Sequence, residues 1–142
     1  MLNLKAALQE FVTQLTEKLK VDVCTLYRIS PDGTTLYLIA SQGLDSSAVG
    51  YQMPVTKGLT GRVIRTGRVV SVKNPELDPD YHAVPGSGEE RFKTYLGIPI
   101  IREGKVIGAL VVQTRDQHMY IMPEVSLIHE TGRLIEKTMS AA

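Results

Sequence analysis

Few side chains in this 142-residue chain have a type and spacing that could do chemistry. Its single cysteine, Cys24, stands between Val23 and Thr25 in an alternating apolar run. A thiol there is a small buried hydrophobe far more often than a nucleophile, and catalysis would also need an adjacent base. The histidines, His82, His118 and His129, are far apart, and a metal or haem role for His82 needs partner ligands that no spacing supplies. Glu76, Asp78, Asp80, Glu89 and Glu90 make one connection acidic. Caps and solvated turns are the ordinary reading, since their spacing fits no cation-binding loop. Arg62, Arg65 and Arg68 recur every three residues. They form either a solvated stripe or, beside a helix start at Gly58 to Gly61, a receptor for a carboxylate. No nucleophile, base or metal set can be assembled, so neither catalytic nor metal-ligating residues are expected.

Composition narrows the possibilities further. Sixteen basic against fifteen acidic residues give a net charge of +1 and no field that would draw in nucleic acid or an anionic membrane. No window reaches the roughly 20 apolar residues of a membrane span. One cysteine suits a reducing cytoplasm. The start reads as an amphipathic pattern rather than as a basic stretch followed by an apolar one, so no signal peptide is expected. The length is that of one domain over residues 1–142, able to bury a core without staples.

The elements that must position these residues centre on Phe92 to Gln113. Tyr95 to Ile101 and Val106 to Gln113 are strand-length apolar runs joined at Arg102-Glu103-Gly104-Lys105, a hairpin with a glycine where positive φ is needed. Both runs are apolar at odd and even positions, so both faces of this pair should be covered. Gly97 and Gly108 mark close approach to the backbone, and Pro99 marks a bulge or an open edge. Upstream, Leu4, Leu8, Phe11, Val12, Leu15 and Leu19 form one helical stripe capped by Asn3. Val21 to Ser30 and Thr35 to Ser41 form a hairpin about Pro31-Asp32-Gly33. A helical turn after Asp45 and a short strand near Tyr51 to Pro54 come next. Residues 58 to 66 read as a short helix closed by Gly67, with a strand from Val69 to Val72. Residues 73 to 91 are a long polar connection, with brief helical turns expected near Asp78-Pro79 and Gly88-Glu89-Glu90. A closing helix begins near Pro123 and places Val125, Ile128, Leu134, Ile135 and Met139 on its apolar side. Strands joined by hairpins between terminal helices give an α+β domain.

In that order the residues resemble a known family. Gly58-Leu59-x-Gly61-x-Val63, Thr66-Gly67, the strand to Val72, Asn74-Pro75, Leu96-Gly97-Ile98-Pro99-Ile100 and Gly104 with Val106-Ile107-Gly108-Ala109-Leu110 resemble a GAF domain over nearly the whole chain. Glu89 to Phe92 and Leu110 to Gln113 are most similar to the N-terminal sensory GAF domains of nitrogen-type phosphotransferase-system enzymes I. The resemblance implies a central antiparallel sheet of five or six strands, with terminal helices on one face and short helices and a lid loop on the other. It implies a regulatory sensor or dimerisation module rather than an enzyme. The cyclic-nucleotide signature is not matched, because Lys73-Asn74 is inverted and Phe92 is followed at the diagnostic places by Leu96-Gly97. Bilin attachment would need a cysteine in the lid, and reduction of methionine sulfoxide would need several.

A pocket of this kind should be walled by Leu26 (or Cys24), Val63, Ser71, Asn74, Tyr81, Phe92, Tyr95 and Gln113. Few polar groups among apolar walls suit a small metabolite, and equally suit a filled core. The resemblance to the nitrogen-type enzymes implies a nitrogen-status metabolite such as glutamine or 2-oxoglutarate as ligand and a downstream phosphotransferase domain as partner. The terminal helices are the expected homodimer surface, and no cofactor is expected. The alternative is a ligand-free interaction module with its pocket filled.

Overall fold

The computed structural model describes residues 3–86 and 91–141. Helix α1 (Leu4–Leu19) starts where the Asn3 side chain accepts from the Lys5 amide at 2.9 Å, which satisfies one orphan donor of the first turn. It ends at Lys20 in the left-handed region. Strands β1 (Val23–Ile29) and β2 (Thr35–Gln42) follow, then β3 (Gln52–Pro54), helix α2 (Gly58–Thr66) and β4 (Val70–Lys73). The central hairpin is β5 (Thr94–Arg102) and β6 (Lys105–Gln113), and helix α3 (Met122–Ser140) closes the chain. The hairpin turn is Glu103-Gly104, with φ of 49° and 79°. Two successive left-handed residues twist a two-residue loop to match its strands, which is why glycine stands there.

The six strands lie in the order β3-β2-β1-β6-β5-β4, and every neighbouring pair is antiparallel. The fold is therefore α+β with a six-stranded sheet. Helices α1 and α3 pack on one face of the sheet and α2 on the other. This arrangement explains the continuous apolar runs of β5 and β6, whose alternate side chains enter different layers. Leu96, Ile98, Ile100, Leu110 and Val112 join Leu8, Val12, Leu15, Ile128 and Ile135 beneath the terminal helices. Tyr95, Ala109 and Val111 join Leu59 and Val63 on the α2 side.

Two details differ from the sequence reading, and a third lies beyond it. The turn expected near Asp78-Pro79 instead occupies Pro75–Leu77, because Pro75 is preset for a helical start after Asn74 turns left-handed at φ 51°. Leu134 is 44% exposed, and the buried side of α3 is Ile128, Thr131, Gly132 and Ile135. Gly132 lets the helix settle on the sheet, since a Cβ there would come within 3.2 Å of Ile98 Cδ1. An irregularity sets Leu26 opposite Ala40 but Tyr27 opposite Leu38, so Leu36 and Leu38 serve the α2 side while Ala40 serves the other. The turn expected at Gly88-Glu89-Glu90 lies outside the described residues.

Candidate functional site

The α2 layer is assembled around close backbone approaches. Gly58 begins the helix at φ 79°, and a Cβ there would lie 3.4 Å from His82 Cβ, so the connection after β4 packs directly on the helix start. At Gly61 a Cβ would fall 2.6 Å from the Val55 carbonyl oxygen. The chain entering the helix therefore crosses it at backbone distance. Arg65 fixes that crossing by donating from Nη1 to Val55 O at 2.7 Å.

The arginine stripe and the acidic connection, two separate features of the sequence, meet here. Arg62 Nη2 reaches Asp78 Oδ1 at 2.5 Å and Asp80 Oδ2 at 2.9 Å, while its Nε reaches Asp80 Oδ2 at 3.1 Å. Arg65 Nη2 lies 3.7 Å from Asp80. Arg62 and Arg65 are therefore paired with carboxylates of the protein itself, away from the helix start at Gly58 to Gly61. The hydrogen bond from Arg62, helped by the Asp80 backbone amide, holds the Asp78 carboxyl below its ordinary range. The same contacts, with Asp78 first and Asp80 second, push the guanidinium further up. A second anchor joins Tyr51 Oη to His82 Nε2 at 2.8 Å, with the two rings stacked. The segment from Asp78 to His82 is thus latched at two points, by Arg62 of α2 and by Tyr51 just ahead of β3.

Beneath the latch, the Tyr95 hydroxyl and Thr60 Oγ1 are hydrogen-bonded at 2.8 Å. Tyr95 folds back over its own strand: a Cβ on Gly97 would stand 2.7 Å from the Tyr95 hydroxyl and 2.9 Å from Val63 Cγ2. Thr25 and Gln113 are buried side chains of this same face, because Thr25 pairs with Val111 and strand alternation gives Gln113 the orientation of Val111. The α2 face therefore carries buried hydroxyl, phenol and amide groups among apolar neighbours. Such a composition suits a site for a small polar molecule and equally a filled core.

The residues expected from sequence divide between two places. Val63 and Tyr95 crowd Gly97 from above, and Gln113 shares their face. Tyr81 is half-buried in the latched segment. Phe92 is buried ahead of β5, with the Arg115 guanidinium 5.7 Å from its ring. Leu26 does not join them. It lies with Cys24 in the core under α1 and α3, because both sit at even positions of β1 while the α2 face takes the odd ones. Ser71 and Asn74 also lie elsewhere. Ser71 pairs with Leu96 and shares its helix-side orientation. It lines a groove of about 350 Å³ with Thr94, Gln117, His118 and Tyr120. Asn74 accepts from Gln117 Nε2 at 2.6 Å at that groove's border. Cys24 is wholly buried, and desolvation pushes its thiol far above the ordinary range, so no thiolate is at hand.

Among the described residues, no three His, Cys, Asp or Glu side chains converge as a metal set, and no helix is long and apolar enough to cross a membrane. Glu89 and Glu90 lie outside the described residues. Thr60 escaped the sequence reading. The signal was a threonine inside Gly58-Leu59-Thr60-Gly61, a run whose glycines mark close packing and in which every residue is buried.

The family model for the GAF domain matches residues 3–138. A relative described as "Phosphoenolpyruvate-dependent phosphotransferase system", from Escherichia coli (strain K12), is 30% identical over 127 residues, which are 89% of this chain and 17% of the relative. A "Nif-specific regulatory protein" of Azospirillum lipoferum is 29% identical over 115 residues, 78% of this chain and 18% of the relative. The chain thus spans less than a fifth of the length of these relatives. Among solved structures, the GAF domain of a phosphoenolpyruvate-protein phosphotransferase from Coxiella burnetii superimposes with a TM-score of 0.91 at 31% identity, covering 100% of this chain and 85% of that one.

Proposed function

The chain belongs to the GAF domain family, a family of regulatory sensor domains, and from that premise we propose that residues 1–142 form one GAF sensor that binds a small carboxylate-bearing metabolite on its α2 face. The observation that carries this reading is the latch: Arg62 and Arg65 already hold two carboxylates, Asp78 and Asp80, over a layer with buried Thr60, Tyr95, Thr25 and Gln113. A ligand carboxylate can take the place of Asp80, the more exposed of the two, and reset the segment that Asp80 tethers. Glutamine and 2-oxoglutarate fit this chemistry, each offering a carboxylate to the arginines and a further polar group to the layer beneath. The phosphotransferase relative supports a downstream phosphotransferase domain as the controlled partner. The Nif-specific relative supports the same regulatory logic in another context. Homodimerisation through α1 and α3 would carry the change onward as a shift of helix angle. A reducing cytoplasm suits the buried free thiol.

Thermal unfolding against a panel of amino acids, 2-oxo acids and nucleotides tests this reading. A ligand at a hundred times its Kd stabilises by about 2.7 kcal/mol, which moves the midpoint by several degrees. The expected result is stabilisation by glutamine or 2-oxoglutarate that Arg62→Met and Arg65→Met reduce. No shift from any compound would remove the sensor reading.

One observation favours a second reading, a ligand-free interaction module. Tyr95 and Val63 close over Gly97 so tightly that not even a methyl group fits, so this part of the layer is filled by the protein's own side chains. If the panel fails and the protein is a dimer in solution, this reading takes its place.

A further inference from the structure

Strand β4 pairs with β5 only from Lys73↔Thr94 to Val70↔Gly97, yet β5 runs on to Arg102. Residues Ile98 to Arg102 therefore have β6 on one side and, among the described residues, no strand on the other. This stretch of five residues is roughly 16 Å of open strand edge. A groove of about 420 Å³ runs along it, lined by Gly67, Arg68 and Val69 before β4, by Pro99 and Ile101 of β5, and by His129, Gly132 and Arg133 of α3. Pro99 pairs with Ala109 and so belongs to the α2 face, whereas α3 belongs to the opposite face. A groove with lining from both layers opens on the sheet edge itself.

Two properties of this edge bear on what it could bind. Its apolar surface is left in water: Ile101 is 49% exposed and Val69 42%. Its rim is basic. Arg68 and Arg133 are exposed, and among the described residues neither guanidinium takes part in an ion pair, unlike Arg62, Arg65 and Arg102, which all do. His129 also lines the groove. Neither nearby acid forms an ion pair with these two arginines. Glu136 is engaged by Arg102 at 2.8 Å, and Glu130, three residues from Arg133, is not paired with it.

The geometry points to the open edge of β5 as a docking groove for an acidic, extended segment of another polypeptide, seated between Arg68 and Arg133. Of residues Ile98 to Arg102, the alternate ones whose backbone groups point away from β6 supply strand-type hydrogen bonds. A sheet edge with a proline and charges can also be one blunted against pairing. The exposed Ile101 and Val69 argue for recognition, since a blunted edge gains nothing from apolar side chains in water. This inference does not depend on a metabolite binding at the α2 face.

Fluorescence anisotropy of the whole chain with a labelled six-residue peptide alternating Glu and Val tests the inference. The matched Lys-Val peptide and an acidic peptide N-methylated at alternate amides serve as comparisons. The acidic peptide should bind, more weakly as salt rises. Both comparison peptides should bind about tenfold more weakly or not at all, as should the acidic peptide to Arg68→Glu/Arg133→Glu. Ile101→Glu, at a half-exposed position, should weaken it too, whereas Lys5→Glu/Lys18→Glu on α1 should leave it unchanged. Thermal melts confirm that each variant folds. Equal binding of all three peptides, or no binding, would overturn the proposal and leave a blunted edge. Competition by free succinate at the peptide's own concentration would make this a small-anion site instead, and loss of self-association in the arginine variant would make a second copy the occupant.

Discussion

The two layers on either side of the sheet are built on different principles. Under α1 and α3 the core is one continuous apolar cluster from Leu8 to Ile135, and Leu26, Ile98 and Leu110 are buried completely or nearly so. Over α2 the apolar residues split into two clusters, one about Tyr27, Leu36, Leu38 and Met53 and the other about Leu59, Val63 and Tyr95. Between and above them lie hydrogen bonds and ion pairs: Thr60 to Tyr95, Tyr51 to His82, and Arg62 to Asp78 and Asp80. An apolar cluster gains from burial without regard to direction, whereas a polar latch holds only in one geometry and can be exchanged for a ligand's groups. The comparison teaches where each task lies. One layer is held by non-directional burial, and the other adds directional polar contacts at its outer side.

The largest effect should come from the first layer. Ile135→Ala removes a fully buried side chain from the α1–α3 core and should cost about 2–5 kcal/mol in urea unfolding, with the Arg62 latch unaltered in the folded fraction. A loss below 1 kcal/mol would break the comparison. Gly97→Ala probes the tight side of the second layer, where the new methyl meets Tyr95 Oη and Val63 Cγ2. It should destabilise by about 1–3 kcal/mol, and Val63→Ala in the same chain should recover part of the loss.

Arg62→Met should act locally rather than globally. Its partners are partly solvated, so the expected loss of stability is about 1 kcal/mol or less. Hydrogen exchange of the amides from Glu76 to Val84 should nonetheless quicken well beyond that of the β5–β6 hairpin. Equal quickening in both places would mean that the latch is part of the common core.

The smallest effect is a pH dependence. Asp78 is held below the ordinary carboxylate range in the folded chain, so its contribution is complete at neutral pH. That contribution fades as acidification passes the ordinary value and approaches the lowered folded one. Exchange in the latched segment should therefore rise in acid relative to the hairpin, and Arg62→Met should abolish the difference.

Much of the fold was legible because periodicity and punctuation are local. Helix α1 with its Asn3 cap, the Glu103-Gly104 turn, Gly67 closing α2 and the covered β5–β6 pair could all be read along the chain. The site was legible in part. Val63, Tyr95 and Gln113 share the α2 face, but Leu26 points to the opposite layer and Ser71 and Asn74 border a separate groove. Alternation tells which residues of a strand point the same way, but not which of the two layers that way leads to.

The sequence by itself determined the elements, their order and the apolar character of both faces of the central hairpin, since these follow from neighbours two to four residues apart. Tertiary structure alone decided that Arg62 meets Asp78 and Asp80, that Tyr95 lies over Gly97, and that β4 stops short and leaves the end of β5 open. Those outcomes depend on how segments distant along the chain are brought side by side, and no local period encodes that.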